Sequence, residues 1–151
     1  MMRLSEQLET SGGYRMKKVL DLIDSVGKVG FFASTEDNQP RVRPFGFAFY
    51  EDGKFWFCTN NTKKVYRQLK ETPYAEVIFC KPNYSQYVRV SGHVVFDTAL
   101  EAKTRVMEAM PGVKGLYKSP DNPIFEVFYL EKGTAVLEAF PPTTPAEEFR
   151  F

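Results

Sequence analysis

Among its 151 residues the chain has a single histidine, His93, and only two cysteines, Cys58 and Cys80. One imidazole and two separated thiols exclude a zinc site of the His/Cys type, and two cysteines are too few for a disulfide framework. No metal is expected. Charge of one sign is also lacking: twenty Lys and Arg face nineteen Asp and Glu, a formal +1. No global field therefore recruits nucleic acid or an acidic membrane surface. Apolar runs stay far below the roughly 18 residues of a membrane helix, and the opening MMRLSEQLET carries no apolar stretch of the signal-peptide kind. A soluble, cytoplasmic protein is the expectation, with neither nucleic-acid nor membrane partners. A Gly-rich phosphate loop is missing as well, so P-loop and Rossmann-type nucleotide folds are not indicated.

What the chain does have is aromatic surface. Fourteen Phe, eight Tyr and one Trp make 15% of the residues. Aromatics favour strands and offer flat faces to planar ligands. The length fits one domain that hides roughly 70% of its unfolded surface.

Residues 1–13 read as a lead-in ending in Ser11-Gly12-Gly13. From Tyr14 to Val26, apolar residues at Met16, Val19, Leu20, Ile23 and Val26 have helical spacing, closed by Gly27. The period then shortens to two. Strands are expected at Val29–Thr35, Val42–Tyr50 and Lys54–Thr59, separated by the turn chemistry of 36–40 and Glu51-Asp52-Gly53. Thr62 can cap a helix running to Glu71, and Thr98 with Glu101 has capping-box spacing for a second through Ala109. Ala75–Lys81 and Tyr87–Phe96 read as strands, 111–123 as a loop-rich connection, and Ile124–Leu130 with Thr134–Phe140 as a last hairpin around Glu131-Lys132-Gly133. The domain spans 14–140, and 141–151 is an extended tail packed in part. Sequential antiparallel hairpins without βαβ alternation point to a mainly β fold, a small barrel flanked by helices.

Three segments carry candidate chemistry. In Pro40-Arg41-Val42-Arg43-Pro44-Phe45, strand alternation puts Arg41 and Arg43 on the face of Phe45, Phe47 and Phe49. Arg43 either has a carboxylate partner or faces an anionic ligand. The run Thr59-Asn60-Asn61-Thr62-Lys63-Lys64 joins a strand to a helix start, where cations are mildly unfavourable. Lys63 and Lys64 are either solvated there or hold an anion, and a phosphate would also use the free N–H groups and Thr hydroxyls. In Tyr87-Val88-Arg89-Val90-Ser91-Gly92, Tyr87 and Arg89 share a polar face. His93 lacks an orienting partner in sequence, and Cys58 and Cys80 read as core residues within apolar strands. No catalytic constellation is recognisable.

The order of these motifs, R-x-R-P-F, then T-N-N-T-K-K-x-x-x-Q-L, then Y-V-R-V-S-G, resembles the pyridoxamine 5′-phosphate oxidase-like, FMN-binding split-barrel superfamily. The nearest match is its nitroimidazole-resistance-type branch, and the resemblance covers roughly residues 14–140. It implies a homodimer with two FMN molecules at the subunit interface. Carried over by motif, Arg43, Lys63 and Lys64 hold the FMN phosphate, with Thr59 or Thr62 supplying a hydroxyl. Pro44, Phe45, Cys58, Thr59 and Asn60 line the flavin, and Tyr87 and Arg89 lie on the strand that approaches its ring. The tail PAEEFRF lacks the Trp- and Arg/His-containing segment by which true pyridoxamine phosphate oxidases hold substrate, which speaks against that activity. The resemblance implies an FMN-dependent oxidoreductase drawing on NAD(P)H for a small acceptor. The alternatives are a module that stores or senses flavin or haem, and, from the aromatic and basic residues alone, a single-stranded nucleic-acid binder.

Overall fold

Helical spacing of Met16, Val19, Leu22 and Ile23 produces one apolar stripe, and all four side chains are buried in the computed structural model, which describes residues 16–151. This first helix (α1) is helical through 16–25; Tyr14 and the 1–13 lead-in lie outside the described residues. Gly27 ends it at φ +71°, its N–H bonded to Asp24 O at 3.1 Å while the Lys28 N–H reaches Ile23 O at 3.0 Å. That left-handed step is what the glycine provides.

Eight strands follow: β1 (Val29–Glu36), β2 (Gln39–Gly46), β3 (Phe49–Glu51), β4 (Lys54–Asn60), β5 (Tyr74–Cys80), β6 (Gln86–Asp97), β7 (Phe125–Ala139) and β8 (Glu147–Arg150). Three further helices are α2 (Lys64–Glu71), α3 (Leu100–Ala109) and α4 (Pro111–Tyr117). Every strand pairing is antiparallel. The sheet order is β2-β1-β5-β6-β7-β4-β3, with β8 added on β7. The two end strands, β2 and β3, are joined by Phe47-Ala48 alone, so the sheet curls until its ends meet. This is the expected antiparallel barrel with flanking helices, of the split-barrel kind. Its interior is phenylalanine: Phe32, Phe47, Phe55, Phe57, Phe79 and Phe128 are all buried. Each such ring removed from water contributes about 1.5–3 kcal/mol before ordering costs.

Four local expectations are corrected. Val42–Tyr50 is two strands, because the chain breaks at Phe47-Ala48. Phe45 and Phe47 stay with the barrel core, whereas Phe49 leaves their face and stacks on Trp56 at 5.7 Å, in a second cluster beneath α3 and α4. The last hairpin does not form. Phe125–Ala139 is one 15-residue strand, and Glu131-Lys132-Gly133 makes a bulge opposite Gly92, with Lys132 at φ +51°. The turn chemistry was real but serves a bulge, which also needs an unusual backbone step. The Thr98 capping box is absent: α3 starts one turn-residue later from Ala99, whose N–H is held by Asp97 Oδ1 at 2.9 Å. Finally, part of the loop-rich 111–123 is α4, with Pro at its first turn.

The tail is better packed than expected. β8 pairs with Thr134–Leu137, Phe149 is buried, and the Phe151 ring lies 4.7 Å from Phe55.

Candidate functional site

The site grows from the end of β4. Asn60 is buried, and its Oδ1 accepts from the Thr62 N–H (3.0 Å) and the Thr62 hydroxyl (2.5 Å). Its Nδ2 donates to the Tyr117 hydroxyl on α4 at 2.8 Å. This turn aims the chain into α2, so the helix cap is Lys63 rather than Thr62, and no side chain caps it. The Lys63 N–H is taken by Asn60 O at 3.2 Å. The first-turn N–H groups of Lys64 and Val65 have no intrahelical acceptor, as at any helix start. No acidic residue stands in that turn. Lys63 and Lys64 are exposed. Val65, Gln68 and Leu69 form the buried face of α2.

Arg43 projects from β2 beneath this helix, with Nη1 donating to Ser34 Oγ (2.8 Å) and Phe32 O (3.2 Å) and Nη2 donating to Gln68 Oε1 (2.7 Å). Its acceptors are all neutral. Among the described residues no carboxylate pairs with it, and partial burial pulls its pKa below the ordinary arginine value. Arg41, by contrast, pairs with Glu36 at 3.2 Å, and Arg67 approaches the same carboxylate at 3.6 Å. The Arg41 hydrogen bond, then the charges of Arg41, Lys64 and Arg67, hold Glu36 below the usual carboxylate range.

Thr59, next to Asn60, is 3% exposed, and its Oγ1 is buried without a hydrogen-bond partner. Such an orphan costs about 1–3 kcal/mol, so a group that satisfies it is worth having. Cys58 points the other way, its Sγ 3.8 Å from Met110 Sδ, and burial pushes its thiol up to about 12. It is no nucleophile near neutrality. The Phe45 ring stacks on Phe32 at 4.7 Å inside the barrel, and Pro44 is exposed on the outer face.

Tyr87 and Arg89 are not part of this cluster. They stand on the outer face of β6, where Glu138 of β7 accepts from the Tyr87 hydroxyl at 3.0 Å and from the Arg89 guanidinium, Nε at 3.0 Å. These bonds, the Arg89 one first, hold Glu138 below its usual pKa; the bond to Glu138 raises those of Tyr87 and Arg89. Arg89 aligns with Ile78 and Phe31 across β5 and β1, three strands from Pro44. One chain cannot bring it to Arg43. His93 packs edge-on against Tyr74 at 5.4 Å.

The family model for pyridoxamine 5′-phosphate oxidase matches residues 18–132. The chain belongs to the pyridoxamine 5′-phosphate oxidase-like family. A NimC/NimA family protein from Clostridium acetobutylicum is 36% identical, with 89% of this chain and 90% of that one covered at a TM-score of 0.78. A pyridoxamine 5′-phosphate oxidase-related, FMN-binding protein from Nostoc punctiforme shares the fold at 13% identity, 97% and 89% coverage and a TM-score of 0.57. A heme-binding protein from Mycobacterium smegmatis does so at 16% identity, 85% and 55% coverage and 0.67. No curated protein sequence matches the chain. Among the described residues, no helix is long and apolar enough to cross a membrane.

Within this pyridoxamine 5′-phosphate oxidase-like barrel, Ser34 and Glu138 were missed by sequence reasoning, and Gln68, the glutamine of T-N-N-T-K-K-x-x-x-Q-L, was given no role. A signal existed for Gln68 and Ser34. Gln68 sits in the apolar stripe between Val65 and Leu69, and Ser34 shares the inward parity of Phe32. A polar residue on a buried face calls for a partner.

Proposed function

We propose that this family member is an FMN-binding flavoprotein, a reductase that passes electrons from NAD(P)H to a small acceptor such as a nitro-aromatic. The observation that carries the reading is Arg43, a half-buried cation held only by neutral oxygens and therefore open to an anion. The orphaned Thr59 hydroxyl and the uncapped start of α2 fit the same group. Arg43, Lys63 and Lys64 would hold the FMN phosphate, with Thr59 donating its hydroxyl; the backbone of Pro44-Phe45 and of Cys58–Asn60 would flank the flavin. Thr62 is the weaker hydroxyl candidate, since Asn60 Oδ1 already takes its proton. Bound FMN supplies the redox chemistry, and the protein supplies binding and orientation. The FMN-binding Nostoc punctiforme neighbour and the NimC/NimA neighbour support this direction.

The proposal includes a homodimer. Val29, Phe31 and Val42 expose apolar side chains on the outer face of β1 and β2, at 52%, 56% and 63% exposure. A face of this kind favours burial against a partner. A second copy covering it would bring Tyr87 and Arg89 of one protomer towards the site of the other. Two free cysteines suit a reducing, cytoplasmic setting.

A cofactor-storing or sensing role is the second reading. It is favoured by the fold shared with the heme-binding protein from Mycobacterium smegmatis. Titration of flavin fluorescence tests the binding step. Wild type should bind FMN well and riboflavin poorly, and Arg43→Ala should weaken FMN about ten- to a hundredfold, at roughly 1.4 kcal/mol per decade. Wild-type affinity in that variant overturns the phosphate assignment. Bleaching of the flavin by NADH or NADPH under nitrogen, with recovery on adding a nitro compound, separates the reductase from the storage role.

A further inference from the structure

A guanidinium has two forked edges, each able to hold a pair of acceptors. In Arg43 the Nη1/Nη2 edge is filled from within: Nη1–H meets Ser34 Oγ at 2.8 Å and Nη2–H meets Gln68 Oε1 at 2.7 Å. The two acceptors are themselves joined, Ser34 donating to Gln68 Oε1 at 2.5 Å. Three hydrogen bonds close a ring that ties β1, β2 and α2. Ser34 and Gln68 are each 3% exposed, so the ring is set in the protein. The second Nη1–H goes to Phe32 O, with Arg41 O nearby at 3.3 Å. Among the described residues, Nε–H and the outer Nη2–H have no acceptor. They form the second fork.

We propose that Gln68 is a positioning and specificity-determining residue: supported by Ser34, it turns one edge of Arg43 inward so that the other presents a fork to the phosphate of the flavin, and it does so without neutralising the arginine. This rests on the phosphate site proposed above. The chemical identity of the side chain is the point. A carboxylate at position 68 would orient Arg43 as well or better, but would cancel the charge that attracts a dianion. A neutral amide oxygen orients and leaves the charge intact. Lys64, one turn before Gln68 on the same helix face, would meet the phosphate from the other side.

The experiment compares FMN and riboflavin affinities of wild type, Arg43→Ala, Gln68→Glu, Gln68→Met and the double variant Arg43→Ala with Gln68→Met, with melting curves of each. Gln68→Glu should keep or raise the melting temperature, because the guanidinium then pairs with a carboxylate in place of a neutral amide oxygen. It should nonetheless weaken FMN about tenfold or more and leave riboflavin unchanged, so that selectivity for the phosphate collapses. A purely structural Gln68 would leave that selectivity alone. Gln68→Met should lose FMN affinity in wild type but add nothing on the Arg43→Ala background, since both act through one guanidinium. If Arg43→Ala weakens FMN while Gln68→Glu and Gln68→Met keep wild-type selectivity, the positioning role falls and the phosphate site stands. If Arg43→Ala binds FMN as wild type does, the phosphate site itself falls. Should Gln68→Glu not fold, the Gln68→Met cycle decides alone, additive losses overturning the role.

Discussion

Gly133 lies so close to Ser91 that a Cβ on it would stand 1.8 Å from the Ser91 carbonyl oxygen and 2.7 Å from Gly92 Cα. The bulge in β7 can therefore be built only with glycine at that point. Both clashing groups are backbone of β6, which cannot yield without breaking the ladder. Gly133→Ala should cost about 3 kcal/mol or more, near the upper end for a point change. Gly112→Ala, on α4 with nothing near the added methyl, should be neutral or stabilising by up to about 1 kcal/mol. Urea melts of the two variants check the contrast.

Thr59→Val should act with opposite signs on stability and binding. Removing a buried hydroxyl that has no partner should stabilise the ligand-free protein by about 1 kcal/mol. If that hydroxyl donates to the phosphate, FMN affinity should fall about tenfold. Calorimetry of the free protein and a flavin titration measure the two effects; a loss of stability without FMN would mean the hydroxyl is satisfied.

Cys58 should be silent to thiol reagents at pH 8 in the folded protein and reactive once unfolded. Burial raises its folded pKa to about 12. Between the unfolded thiol value, about 8.5, and that figure, the unfolded chain gives up a proton that the folded one keeps. The stabilisation is therefore complete below about pH 8.5 and drains away as pH rises, by up to about 1.4 kcal/mol per unit. Chemical melts from pH 8 to 10.5 should show this slope in wild type and lose it in Cys58→Ala.

Phe31→Glu places a charge in the centre of the exposed apolar stripe. Wild type should sediment as a dimer at micromolar concentration and the variant as a monomer with weakened FMN binding, because its site lacks the second protomer. A wild-type monomer that binds FMN tightly would remove the partner from the site.

Much of the barrel was legible because period-two alternation and two-residue turns are local. The Asp37-Asn38 and Asp52-Gly53 turns, with positive φ at each residue, stand between the strands where turn chemistry placed them. Illegible features depended on residues distant in the chain. Nothing near Glu131-Lys132-Gly133 distinguishes a turn from a bulge; the decision lies with Gly92, forty residues earlier by number. Parity carried Phe49 to the wrong face because a break at Phe47-Ala48 leaves no mark in composition. In the candidate site, Arg43 was legible as a cation needing explanation. That Ser34 and Gln68 need partners was legible in their inward parity, but that Arg43 is the partner was not, since they meet it only after α2 folds over β1.

The length of β7 sets an order of events during synthesis. Phe55, Trp56 and Phe57 of β4 find their strand partners at Leu130, Tyr129 and Phe128, more than seventy residues later in the chain. At about 5–20 residues per second, a ribosome needs several seconds to supply them. Throughout that interval the nascent chain carries an aromatic hairpin with one edge open, a surface on which a chaperone would act well before any flavin could.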